Sequence, residues 1–360
     1  MTSVAAATAY HAMRGCGNLP NRHLWKETAV SRWPYLLLVL ANAALAYAAL
    51  AYAALAPAHA QAQSYPSKPI RFVIAFAPAG PADIIGRIAG QKLAEILGQP
   101  VVIENRGGAG GNIGAAQVAK SAPDGYTALV TTSAYAVNVT LSPNAGYDPE
   151  RDLIPVAVVA KQANLIFVHP GLAAKNLAEL LALAKTTKLA FASPGSGTTP
   201  HLAAESLFNL ASRLDMTAIH FRGAGPAIAA VVGGEPPVGA GALSTPLPHV
   251  KAGRLRPIAV SSSARVAALP DVPTFAESGF AGAEDYTWIG IFMPAGTPPA
   301  MVQKFNEAVN QALQGADMRE RLSALAFDPV GGSAQQFGDY VKTEIVKWGK
   351  VVRAGNIKPD

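Results

Sequence analysis

Two apolar rhythms alternate along most of this chain. A β-rich run, Ile70-Arg-Phe-Val-Ile-Ala-Phe76, breaks at Ala77-Pro-Ala-Gly-Pro-Ala82, and Asp83 opens a helically periodic segment that reaches Leu97. The pattern repeats at once: strand Val101–Asn105, the glycine-rich Arg106–Asn112, then an alanine-rich helix to Lys120. Further strands are expected at Tyr126–Thr132, Leu153–Ala160, Leu165–Val168, Leu189–Ser193, Met216–Phe221, near Val238 and at Arg256–Ser261. Helices are expected at Asn176–Lys185, with Asn176 as N-cap and Glu179 in the capping-box position, and at His201–Arg213, Ala224–Val232, Pro298–Leu313 and Ala334–Arg353. In the last of these Phe337, Tyr340, Val341, Ile345, Trp348 and Val352 recur at helical spacing and read as a core face. Such alternation is the mark of an α/β protein with mostly parallel sheets.

The N-terminal 60 residues follow a different rule. Between Trp33 and Ala60 no acidic or basic residue occurs, Arg22, Lys26 and Arg32 precede the apolar run, and Ala58-His59-Ala60 follows it. Basic region, apolar region and small-x-small site describe an export signal cleaved after Ala60 or Ala62. The run is also long enough to serve as an uncleaved membrane anchor. Met13 offers a later start than Met1.

Residues 1–60 hold four of the 29 basic and one of the 23 acidic side chains, so the remainder has net charge +3 rather than +6. That excess is too small for a nucleic-acid surface, and no basic stripe with interleaved aromatics is present. The single cysteine, Cys16, lies in the leader. A chain of this size builds its core without disulfides.

Enzyme signatures are missing: there is no His-Glu-x-x-His, no Gly-x4-Gly-Lys-Ser/Thr and no Gly-x-Ser-x-Gly. The loop Gly107–Gly114 resembles a dinucleotide cradle but has Ile113 where the third glycine belongs, so it reads as tight packing and chain reversal. Four histidines after the leader, His169, His201, His220 and His249, offer no metal-ligand spacing. No catalytic residue, metal or cofactor is expected.

The chemistry that remains is anion binding where strands end and helices begin. In the first loop, Phe76, Pro78, Ala79, Gly80, Pro81, Ala82 and Asp83 present backbone N–H groups, with Asp83 as the helix cap. A second candidate is Ser193-Pro-Gly195-Ser196-Gly197-Thr198-Thr199-Pro-His201, whose hydroxyls suit a carboxylate and whose Thr198 or Thr199 also suits a helix cap. Arg222 with Gly223, at the end of a strand, is the best single cation for the anion. Ser133 and Ala134 close another strand with small residues.

These residues resemble a known family. Tyr65-Pro-Ser-Lys-Pro-Ile-Arg71, Phe76-Ala-Pro-Ala-Gly-Pro-Ala-Asp83, Leu97-Gly-Gln-Pro-Val-Val-Ile-Glu-Asn-Arg106, Ala122-Pro-Asp-Gly-Tyr-Thr127, Pro248-His-Val-Lys-Ala-Gly-Arg-Leu-Arg256 and Ala268-Leu-Pro-Asp-Val-Pro-Thr-Phe-Ala-Glu-Ser-Gly279 are similar to the Bug family. Its members are the TctC-type periplasmic solute-binding proteins of tripartite tricarboxylate transporters. The resemblance implies a type II periplasmic-binding-protein fold, with two α/β domains joined by crossing strands near Leu165–Val168 and Tyr286–Met293. It implies domains of 61–164 with 289–360, and of 165–288, after a signal peptide of 1–60. It further implies a monomer that binds a small organic carboxylate through the two loops above and hands it to membrane permease subunits, or else presents it to a signalling partner. Two departures stand out: Ala79, Pro81 and Ala82 replace the small and hydroxyl residues usual in the first loop, and Pro237 and Gly241 stand where the family has aspartates.

Overall fold

The computed structural model describes residues 33–55 and 65–359, which fall into two units, one ending at Ala62 and one running from Gln63. The first unit contributes helix α1 (Trp33–Leu55), apolar along its length and long enough to cross a membrane. The basic residues before it, the two expected cleavage sites and Met13 lie outside the described residues.

The second unit runs β1 (Ile70–Ile74), α2 (Pro81–Leu97), β2 (Val101–Asn105), a 3-10 turn (Ala109–Gly111), α3 (Asn112–Ala119), β3 (Thr127–Thr132), α4 (Ala134–Leu141) and β4 (Leu153–Val168). It continues with α5 (Leu177–Thr186), β5 (Ala190–Ser193), α6 (Thr199–Glu205) with a π-helical turn (Ser206–Ala211), β6 (Thr217–His220), α7 (Ala224–Val232), β7 (Val238–Ala242), α8 (Leu247–Lys251) and β8 (Arg256–Val260). It closes with β9 (Tyr286–Pro294), α9 (Pro299–Gln314), α10 (Ala316–Ala324), β10 (Asp328–Pro329) and α11 (Ala334–Ala354).

The strands form one sheet in the order β2-β1-β3-β9-β4-β7-β5-β6, with β8 and β10 also paired to β4. Parallel pairing is confined to the outer groups, β2-β1-β3 and β7-β5-β6. β9 and β4 run antiparallel to their neighbours and to each other, so the sheet is mixed rather than mostly parallel. Along β4, Leu153–Ala163 pairs with β9 and Asn164–Val168 with β7.

β4 corrects the expectation of two short strands, 153–160 and 165–168. Lys161-Gln-Ala-Asn164 interrupts the apolar run, yet these residues continue the ladder to β9 and β7. Gln162 and Asn164 are fully buried and hydrogen-bonded, so their polarity marks an internal network and not a loop.

Period-2 alternation builds the core on both faces. Phe72 and Ile74 join one cluster with Ile85 and Phe305, while Val73 and Ala75 join another with Tyr135, Trp288, Phe337 and Trp348. Ile166 and Val168 pack with Phe191, Phe208 and Phe275, while Leu165 and Phe167 pack with Ile228 and Leu247. Each fully buried aliphatic or aromatic side chain contributes about 1.5–3 kcal/mol. The α11 stripe is core as expected, and its helix opens on a full capping box, Ser333 with Gln336.

Candidate functional site

The first loop is held from below by a carboxylate buckle. Helix α2 starts at Pro81 with Gly80 as N-cap, so Asp83 is a first-turn residue and not the cap itself. Proline at the first helical position, which needs no N–H partner, moves the start two residues earlier than the apolar rhythm suggests. Asp83 is nearly buried; its Oδ2 accepts from the Ala79 N–H at 2.9 Å, and its Oδ1 accepts from Arg87 Nε at 3.0 Å and Asn105 Nδ2 at 2.9 Å. Burial pushes this carboxyl up, but the bonds from Arg87, Ala79 and Asn105 outweigh it and hold the group below the usual range. With Ala79 engaged and Pro78 and Pro81 lacking N–H, the donors left where the loop enters α2 are Gly80, Ala82 and Asp83, whose N–H groups have no partner among the described residues.

The glycine-rich loop supports this surface. A Cβ on Gly107 would lie 2.9 Å from Ala77 N and 3.1 Å from Phe76 C, and one on Gly114 would lie 2.8 Å from Arg106 O. Only glycine allows the two loops to press together. The Phe76 ring lies against Gly111, and Asn138 Nδ2 donates to Gly110 O at 2.9 Å.

The loop Ser193–His201 lies across the ends of β5 and β6. Phe221 N–H donates to Ser193 O at 2.9 Å and Gly223 N–H to Pro194 O at 3.1 Å, which brings Arg222 and Gly223 beside it. Arg222 is exposed and forms no ion pair among the described residues. Helix α6 begins at Thr199, two residues before the expected His201. Its N-cap is Thr198, whose side chain makes no capping bond; just ahead of the cap, His201 Nδ1 accepts from the Gly197 N–H at 3.2 Å. Burial, followed by the nearby His220 ring, lowers His201 to about 3, so the ring is neutral with its proton on Nε2.

The hydroxyls of this loop are committed within the fold. Ser193 and Thr198 donate to Gly195 O, and Ser196 donates to Lys358 O at 2.6 Å. Thr199 enters a buried chain: Ser133 Oγ lies 2.9 Å from Thr199 Oγ1, which lies 2.6 Å from Thr287 Oγ1, which donates to Asn164 Oδ1 at 2.7 Å. Asn164 Nδ2 donates to both oxygens of Asp285 at 3.1 and 3.0 Å. Because Thr287 gives its hydrogen to Asn164, Thr199 must donate to Thr287 and Ser133 to Thr199. The chain therefore runs one way, and Ser133 keeps only lone pairs for other partners. Burial raises Asp285 to about 7 against the opposing pull of Lys347 and the Asn164 bond.

The structure thus joins Ser133 and Ala134, the loop Ser193–His201, Arg222 and Gly223 into one cluster, largely buried apart from Arg222. It does not bond Phe76–Asp83 to that cluster directly. The link passes through Gly110, Asn138 and then Gly197, whose Cβ would lie 3.5 Å from Asn138 Oδ1. Asn138, Asn164, Asp285 and Thr287 are the residues that sequence reasoning missed. A polar break inside an apolar strand, Gln162 to Asn164, was the available signal. Among the described residues no group of three His, Cys, Asp or Glu side chains suits a metal ion.

The profile of the family described as "Tripartite tricarboxylate transporter family receptor" matches residues 85–357. Three solved structures share the fold. The periplasmic binding protein BugD is 29% identical with a TM-score of 0.77, covering 82% of this chain and 99% of its own. An R. palustris protein solved with adipate is 32% identical with a TM-score of 0.79, covering 82% and 100%. MatC from Rhodopseudomonas palustris, solved with bound malate, is 33% identical with a TM-score of 0.75, covering 80% and 100%. The mixed α/β sheet is the fold of these periplasmic binding proteins.

Proposed function

The chain belongs to the tripartite tricarboxylate transporter receptor family, and we propose that it captures a small organic carboxylate in the periplasm and delivers it to membrane permease subunits. The described residues of 61–164 with 289–360 form one lobe and those of 165–288 the other, and β4 and β9 are the hinge strands between them. The observation that carries this reading is the donor set at the strand ends. Unpartnered N–H groups of Gly80, Ala82 and Asp83 at the start of the 17-residue α2 offer charge-matched hydrogen bonds to a carboxylate without a salt bridge. The adipate and malate held by two relatives are acids of the same class.

The loop Ser193–His201 closes over the ligand from the other lobe, with Arg222 at its margin. Its hydroxyls shape the wall through their internal bonds, and Ser133 contributes an acceptor suited to a ligand hydroxyl or N–H. No step of this reading needs a nucleophile or a cofactor.

Calorimetry against mono-, di- and tricarboxylates tests it, with at least one acid expected to bind and Gly80→Val expected to weaken it by about tenfold or more. Gly80 has φ −83° and a Cβ there would meet only Ala77 O at 3.5 Å, so the substitution crowds the ligand and not the fold. Absence of binding by every acid would sink the reading.

A further inference from the structure

Four buried side-chain atoms among the described residues lack a hydrogen-bond partner, and three of them belong to residues linked by sequence or by a backbone bond: Gln162 Nε2, Ser244 Oγ and Thr245 Oγ1. The fourth, His249 Nδ1, lies one turn further on, in α8. Buried polar groups are nearly always paired, so three orphans at one place call for an explanation. Gln162 is 0% and Ser244 5% exposed. The Ser244 N–H donates to Gln162 Oε1 at 2.6 Å. That bond fixes which end of the carboxamide is which, leaving both Nε2 hydrogens unused.

The trio belongs to the same floor as the candidate site. Gln162 on β4 stands directly opposite Thr287 on β9, so the two side chains share a face of the sheet. Thr287 is the residue that bonds Thr199 of the loop Ser193–His201. Ser244 and Thr245 follow β7, which runs parallel to β5 in register Ala192 with Gly239. Loops after parallel neighbours leave the sheet at the same edge, the carboxyl-end edge where open α/β sheets take ligands.

We propose that Gln162, Ser244 and Thr245 form a second, uncharged polar subsite that receives the distal carboxylate of a dicarboxylate whose first carboxylate lies at the loop Phe76–Asp83. The inference rests on the carboxylate-binding reading above and gives it a substrate class. An amide NH2 and two hydroxyls offer four hydrogens, and a carboxylate is a pure acceptor that can take them all. In the present conformation the three atoms are closed off from solvent, so a ligand reaches them as the lobes part and is sealed in as they close. A lobe pair closed without ligand leaves these donors unpaired, which biases the free protein toward the open form.

The experiment is calorimetry on the protein and its variants Ser244→Ala and Gln162→Met, with adipate and hexanoate, acids of equal chain length that differ by one carboxylate. Adipate affinity is expected to fall at least about tenfold in each variant, while hexanoate affinity stays unchanged. Ser244→Ala should leave the ligand-free melting temperature unchanged or raised, because its hydroxyl has no bond in the fold to lose. If another diacid binds in place of adipate, that acid and its one-carboxylate counterpart take the same roles. Unchanged diacid affinity in both variants would overturn the subsite and mean that these groups hold solvent only, with the carboxylate receptor intact. Binding of monoacids alone by the unaltered protein would overturn it equally. Failure of the unaltered protein to bind any acid would instead bring down the carboxylate reading itself.

Discussion

Two buried titratable residues act on stability in opposite directions across the same pH range. His201 is neutral when folded and titrates at about 3, against 6.5 when unfolded. The unfolded chain therefore binds the proton first, and the stability due to His201, complete above pH 6.5, is lost as pH falls toward 3. Asp285 titrates at about 7 when folded against 3.8 unfolded, because burial disfavours its charge. The folded state here holds the proton more tightly, so this contribution is complete below pH 3.8 and is lost as pH rises through 7. Each slope is on the order of 1.4 kcal/mol per pH unit at most, so between pH 4 and 6.5 the two largely offset. Removing one should unmask the other. Urea midpoints measured from pH 4 to 7 are expected to fall with rising pH in His201→Asn, which keeps an acceptor near the Gly197 N–H. In Asp285→Asn they are expected to rise more steeply than in the unaltered protein. Parallel profiles for all three proteins would contradict both assignments.

At the scale of elements, the crossing strands are tied to the second loop by Thr287. Thr287→Val would leave Asn164 Oδ1 without its donor and the Thr199 hydroxyl without its acceptor, each costing about 1–3 kcal/mol. Thr287→Ser retains the oxygen and should recover most of that loss in chemical denaturation. Equal losses in the two variants would mean that the methyl packing matters and the hydrogen-bond chain does not. This junction also shows where the sequence stops being readable. The Asn176 cap with Glu179, the two strand-loop-helix units at the start and the α11 stripe depend on residues three to seven positions apart, and each is present as expected. β4 was divided because its polar centre finds partners at Ser244, Ser261, Asp285 and Thr287, far along the chain. The serine- and threonine-rich loop was legible as polar and small, but its hydroxyls are consumed at Lys358, Gly195 and Thr287, which spacing cannot reveal. Gln162 is visible only as part of the polar break in β4 and Ser244 not at all, since being unpaired is a property of the packed interior.

For the molecule as a whole, the question is whether the contacts between the proposed lobes can part. The chain passes between them only along β4 and at the start of β9; Gln162 with Ser244, Asn164 with Ser261, Asp285 and Thr287, and Trp288 with Glu344 brace those crossings, and away from them Ser133 bonds Thr199, Ser196 bonds Lys358 O, and Lys347 Nζ donates to Glu284 O at 2.8 Å. Leu202 and Gly197 also lie against the α4 surface, Leu202 within the cluster of Val137 and Leu141. Such an interface is partly polar, as are those across which domains move. Unpaired donors at Gln162 and Ser244 further weaken the closed form in the absence of ligand. Small-angle scattering of the ligand-free protein freed of residues 1–62 should therefore show a more extended particle than residues 65–359 give in this structure, and a bound acid should bring the two curves together. At a ligand concentration of 100 times Kd, binding adds about 2.7 kcal/mol, which should raise the melting temperature by roughly 4 °C. A melting shift of that size with no change in scattering would leave capture in place and remove lobe closure from the mechanism. Ser244→Ala sharpens the comparison: relieved of one unpaired hydroxyl, its ligand-free form should scatter closer to the closed shape than the unaltered protein does.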